Sequence, residues 1–173
     1  MTATDGIAQV NVLATHTALS VWNFGSDFLI VIVLLAILFL FARYVGRGPF
    51  VAALLSFYGA YALYTVFPYM SYLPKAPPPT ALLAYVGLYA ALALAFFIIL
   101  RRVIVSDFLY IGLFGLITLS FLGAGFLLAL AYHVFPITDL YQFTPAVDAL
   151  FAPKAYFFLW FAAPAVGLFF LAR

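Results

Sequence analysis

Charged side chains in this chain lie at the edges of long apolar runs or between them, and none falls at the centre of one. That placement constrains the fold more than any other feature. A charge at the middle of a membrane helix costs about 2.5–3.5 kcal/mol on insertion scales. About 20 apolar residues cross the roughly 30 Å hydrocarbon layer as a helix. Both criteria divide the chain into the same five runs, at residues 28–45, 49–67, 80–100, 108–131 and 155–172. The composition agrees, with 69% hydrophobic and 7% charged residues. Soluble domains carry about 25% charge to cover their surfaces. The expected fold is therefore all-α: a polytopic integral membrane helical bundle of two similar hairpins plus a C-terminal helix, with the lipid bilayer as its solvent.

The run ends carry helix signals. Asp27 is placed to cap the first run and Arg43 to snorkel at its end. Pro49 suits the first turn of the second, and Ser106 or Asp107 suits the cap of the fourth. Pro164 predicts a kink in the fifth. Connections one and three are short and hold Arg43 and Arg47, then Arg101 and Arg102. Connections two and four hold Lys75, Asp139, Asp148 and Lys154. The positive-inside rule makes the four arginines topology determinants on the cytoplasmic side. The N-terminus is then outside, and Arg173 brings the C-terminus inside. Residues 1–27 are expected as an extracytoplasmic interfacial segment, and residues 28–173 as the transmembrane domain. Within the former, residues 8–24 read as an amphipathic surface helix with Trp22 at headgroup depth; a sixth span is the alternative. No basic stretch precedes the first run, so a cleaved signal peptide is not expected. Thr144-Pro145 predicts a short interfacial helix ending near Phe151.

Two segments echo each other. Ser56-Phe57-Tyr58-Gly59-Ala60 and Tyr64-Thr65-Val66-Phe67-Pro68 in the second span resemble Ser120-Phe121-Leu122-Gly123-Ala124 and Tyr132-His133-Val134-Phe135-Pro136 in the fourth. Duplication of a hairpin and coincidence in a chain rich in these residues both account for this. A duplication in this orientation gives a parallel repeat, not an inverted one. Small residues recur at four-residue spacing at Ala52, Ser56 and Ala60; at Gly87, Ala91 and Ala95; at Gly125 and Ala129; and at Ala163 and Gly167. Such stripes allow the close helix contacts that association in lipid requires. They serve packing within the bundle or association with a second copy or other membrane proteins.

Few residues invite a chemical role. Span centres without charge argue against proton- or sodium-coupled transport through buried carboxylates, and against paired-aspartate proteolysis. No phosphate loop or nucleophile elbow is present. There is no cysteine, so neither thiolate catalysis nor a Cys-ligated metal is available. A net charge of +2, with arginines at span ends, suggests no nucleic-acid partner. We expect no enzyme activity, cofactor or metal. Tyr58, Tyr61 and Tyr64, at three-residue spacing, are candidates for a polar lining, with His133 near the end of the fourth span. The blander reading is a packing face whose hydroxyls bond to neighbouring helices. His133 reads as an interfacial side chain, and its titration range would also let it sense pH.

The stretch Ala42-Arg43-Tyr44-Val45-Gly46-Arg47-Gly48-Pro49-Phe50, followed by Leu55-Ser56-Phe57-Tyr58-Gly59 and Phe67-Pro68, resembles the opening of the colicin V production protein (CvpA-like) family. Gly112, Gly115, Gly123 and Gly125 are similar to that family's later glycine-rich span. The likeness runs over about residues 28–130. It implies a small multi-pass protein of the bacterial inner membrane, with a non-enzymatic role in envelope processes, toxin production or export. A scaffold or accessory subunit fits this. A channel or transporter component with a path between the hairpins is one alternative, and a holin-like pore former is another.

Overall fold

A computed structural model describes residue 25 and residues 29–103, 111–135, 137 and 140–171. The segment 8–24, Asp27, Ser106, Asp107, Asp139 and Arg173 lie outside these residues. Among those described, the regular structure is all helical. Helix α1 is described over Leu29–Tyr44. It is followed by α2 (Arg47–Thr65), a short 3-10 turn (Met70–Tyr72), α3 (Pro78–Val103), α4 (Leu113–His133), α5 (Pro145–Phe151) and α6 (Lys154–Leu171).

The boundaries follow local chemistry. Gly46, at φ +115°, takes a backbone conformation that side chains disfavour and turns the chain from α1 into α2. Helix α2 stops at Thr65 because Pro68 disfavours helical backbone at the residue before it. Helix α3 starts on Pro78-Pro79, where missing N–H groups cost nothing. It continues past Leu100 because Arg101 and Arg102 in its last turn complement the negative end of the helix dipole. Helix α4 begins at Leu113, later than the apolar run suggests, because Gly112 is extended (φ −65°, ψ 169°). The short helix after Thr144 is found as expected, with Pro145 in its first turn.

Helices α3, α4 and α6 are long and apolar enough to cross a membrane. Helix α2 is 19 residues long, but Arg47, Ser56 and its tyrosines dilute its apolar character. Helix α4 is the hub. Of its apolar window 61% is buried, against 11% each for α3 and α6. All three core clusters draw on it. At the basic end, Leu116, Leu119 and Ala124 meet Leu38 and Ala42 of α1, Phe50, Val51 and Leu54 of α2, and Leu168 of α6. Towards the other end, Phe126 and Leu130 meet Ala60, Tyr64, Tyr89 and Ala93 of α2 and α3. On a third side, Leu128 and Ala129 pack with Phe143, Val147 and Phe151 on and beside α5.

Among α2 to α6, the tightest neighbours are α2 with α3 and α4 with α6. Among the described residues, α3 and α4 do not form such a pair, so the Arg101–Arg102 connection does not join a close-packed hairpin. Glycines set the approach distances. A Cβ on Gly59 would sit 2.7 Å from the Phe96 ring, and one on Gly123 would sit 2.8 Å from Leu54. A Cβ on Gly125 would collide with the Trp160 ring. Gly125→Val therefore separates α4 from α6, at a cost of about 1–3 kcal/mol, the usual range for overpacking. Its melting temperature in detergent is expected below that of wild type, whereas Gly87→Ala, where nothing lies within 4 Å, leaves it unchanged.

Candidate functional site

The residues singled out from the sequence gather in two places, a tyrosine-rich seam beside α6 and a clasp around α5. The seam follows from the three-residue spacing on α2. At about 100° per residue, Tyr58, Tyr61 and Tyr64 drift slowly around the helix: Tyr58 and Tyr61 face α6, and Tyr64 faces α3.

Tyr58 makes the most specific contact. Its hydroxyl donates to the Phe161 carbonyl at 2.6 Å and accepts from the Ala165 amide at 3.2 Å. Those two groups would pair with each other in a straight helix. Pro164 lies between them and lacks an N–H, which leaves the Trp160 carbonyl without its usual donor. The tyrosine hydroxyl thus enters the backbone ladder of α6 at the proline. Its ring is stacked on Phe126 (centroids 5.0 Å) and edge-on to Phe161 (5.1 Å). Tyr61 lies against Phe161 and Phe157, at 5.1 and 6.2 Å. Tyr64 is buried against Tyr89 and Phe135, at 6.0 and 5.8 Å.

Tyr89 of α3 belongs to the same seam. Its hydroxyl donates to the Phe57 carbonyl of α2 at 2.9 Å. A signal for it stands in the sequence: Tyr85 and Tyr89, four residues apart, share one face of a span whose centre is otherwise apolar. A hydroxyl at that depth needs a partner, and a neighbouring helix backbone is the nearest source.

The clasp holds α5. His133 Nε2 donates to the Phe151 carbonyl at 2.9 Å, and Trp160 Nε1 donates to the Leu150 carbonyl at 3.1 Å. Carbonyls in the last turn of a helix have no partners within it. Here two other helices supply the donors. Tyr132 donates to Asp148 Oδ1 at 2.7 Å, which fixes the middle of α5. His133 is also edge-on to Phe157 at 4.9 Å.

The arginines lie apart from both groups. Arg43 is in the last turn of α1, Arg47 opens α2, and Arg101 and Arg102 are in the last turn of α3; all four are exposed. Among the described residues, no three His, Cys, Asp or Glu side chains are grouped to hold a metal ion. The seam and the clasp bind backbone carbonyls with neutral hydroxyls and ring N–H groups, an arrangement that holds helices together.

These features define an all-helical bundle with three helices of membrane-spanning length and composition. Comparison with protein-family models, curated proteins and solved structures gives no match.

If the Tyr58 hydroxyl secures α6 beside Pro164, Tyr58→Phe keeps the ring packing and loses one bridge, worth about 1 kcal/mol. Hydrogen exchange at the Ala165 amide is expected to speed up by roughly fivefold at that cost. Amides of α3 away from Tyr89 are expected to keep their rates.

Proposed function

We propose that this chain is a non-enzymatic, five-span protein of the bacterial cytoplasmic membrane that serves as a scaffold or accessory subunit, docking another membrane helix on α3. The N-terminus is outside, and Arg43, Arg47, Arg101 and Arg102 are in the cytoplasm, as the arginine bias of the connections supports. Three observations from the fold support membrane integration: the apolar length of α3, α4 and α6, the outward apolar faces of α3 and α6, and the tyrosine hydroxyls of α2 and α3 that bond to backbone carbonyls of neighbouring helices.

One observation carries the scaffold reading. Ala52, Ser56 and Ala60 are buried, as are Gly125 and Ala129, while Ala163 and Gly167 are half-buried. The stripe Gly87, Ala91 and Ala95 on α3 is exposed along its whole length, with open space at Gly87. Small residues facing lipid gain nothing from lipid, but they allow a second helix to approach closely. Large apolar side chains in the interior support this reading over a conduction path: Phe50, Phe126, Leu54, Leu119 and Leu130 are all fully buried there. A role in toxin production or export rests on the family resemblance alone and is the wider setting of the same proposal.

The test is photocrosslinking in native membranes from a benzophenone maleimide attached to Ala91→Cys, combined with flux from liposomes holding purified protein. We expect Ala91→Cys to trap a partner chain, Ala91→Leu to abolish its co-purification without lowering the melting temperature, and flux to stay at background. Conductance that changes in Tyr58→Phe or Tyr61→Phe, with no partner trapped at residue 91, would replace the scaffold with a channel.

A further inference from the structure

At the basic end, the last turn of α1, the Gly46 turn and the first turns of α2 and α4 surround a pocket of about 370 Å³. It is lined by Ala42, Arg43, Gly46, Arg47, Leu113 and Leu116. That volume lies within the roughly 300–1,000 Å³ of small-molecule sites.

The pocket is layered. Ala42 and Leu116 are buried and form an apolar floor, whereas Arg43 and Arg47 are exposed at its mouth. Gly46 makes this arrangement: its positive φ brings two arginines, four residues apart on different helices, to one cavity. Among the described residues, both charged groups that line the pocket are positive. Arg47 stands at the positive pole of α2, where an acidic residue is the usual choice. Neither α2 nor α4 has an acid in its first turn. An anion between the arginines would be stabilised by both side chains and by both helix ends.

Guanidinium groups match the paired oxygens of phosphate. A cationic mouth over an apolar floor also matches the order of groups in an amphiphile, with headgroup above and hydrocarbon below. Basic pockets between membrane helices bind anionic headgroups in this way. We propose that the pocket binds a phosphate-bearing anion between Arg43 and Arg47, above the floor of Ala42 and Leu116. The anion is carried by an anionic phospholipid or by a soluble phosphate ester. This site does not depend on the scaffold reading.

The full chain, purified in neutral detergent, is titrated in one arm with phosphatidylglycerol and in the other with glycerol 3-phosphate, and bound mass is read by native mass spectrometry. Saturable binding of the lipid alone identifies the membrane as the source, and binding of glycerol 3-phosphate without lipid identifies a soluble one. Arg43→Lys and Arg47→Lys keep the charge and lose the planar fork, so each is expected to bind roughly tenfold more weakly, the loss of one charge-assisted bond. Leu113→Trp alters an exposed wall of the pocket without touching any charge and is expected to weaken binding at least as much. It keeps the test open if an arginine variant folds poorly. Arg101→Lys and Arg102→Lys, outside the pocket, are expected to bind as wild type. The proposal is overturned if neither ligand binds saturably, or if the Arg101 and Arg102 variants lose as much as those in the pocket.

Discussion

The bundle depends on how closely other helices can approach α4. Hydrocarbon gives two apolar helices no reason to leave lipid for each other, so association relies on packing and on hydrogen bonds. Helix α4 supplies the packing surface on several sides. Gly123 receives Leu54 of α2 and Leu38 of α1, Gly125 receives the Trp160 ring, and Leu119 and Leu122 lie against Gly167 of α6. Each contact fits because one partner has no side chain where the other is large. Helix α3 reaches the core mainly through α2, where Gly59 receives Phe96.

Hydrogen bonds settle what packing leaves open. A proline within a span breaks the backbone ladder, and lipid offers no replacement donor or acceptor. Tyr58 brings a hydroxyl to that place on α6, with one group donating and accepting at once. Tyr89 ties α3 to α2, and His133, Trp160 and Tyr132 tie α5 to α4 and α6. Nearly all these bonds end on backbone or on the single carboxylate of Asp148. These polar side chains therefore serve the assembly of the bundle, and the cationic pocket at the basic end stands apart from them.

The helices themselves were legible because charge, proline and glycine punctuate apolar runs at intervals set by bilayer thickness. Residues 154–171, 47–65 and 145–151 fall within about two residues of their expected places, in line with the usual uncertainty of helix ends. Gly112 shows the weaker side of such reading: an apolar run passes through it, and the backbone is extended there. The pairing of helices was not legible. The Arg101–Arg102 connection suggested a hairpin of α3 with α4, yet α3 packs on α2 and α4 on α6, because side-chain fit at Gly59 and Gly125 decides contact and has no period in the sequence. Likewise, the spacing of Tyr58, Tyr61 and Tyr64 located the seam but not the acceptor of any hydroxyl. The echo takes on another form in space. Both copies lie in the first helix of a close-packed pair, with Ser56 and Ala60, and Ser120 and Ala124, buried in each.

In this fold, α3 and α6 turn their outer faces away from a buried α4, towards lipid. The chain has no cysteine, so one introduced cysteine carries the only spin label. Collision of the label with oxygen and with a water-soluble nickel chelate, in protein reconstituted into bilayers, measures its surroundings. Labels replacing Leu94 and Phe169 are predicted to meet oxygen and exclude nickel. A label replacing Leu128 is predicted to exclude both, and one replacing Tyr72 to meet nickel. Free access of nickel to Leu94 and Phe169 would contradict the account, because those faces would then lie in water.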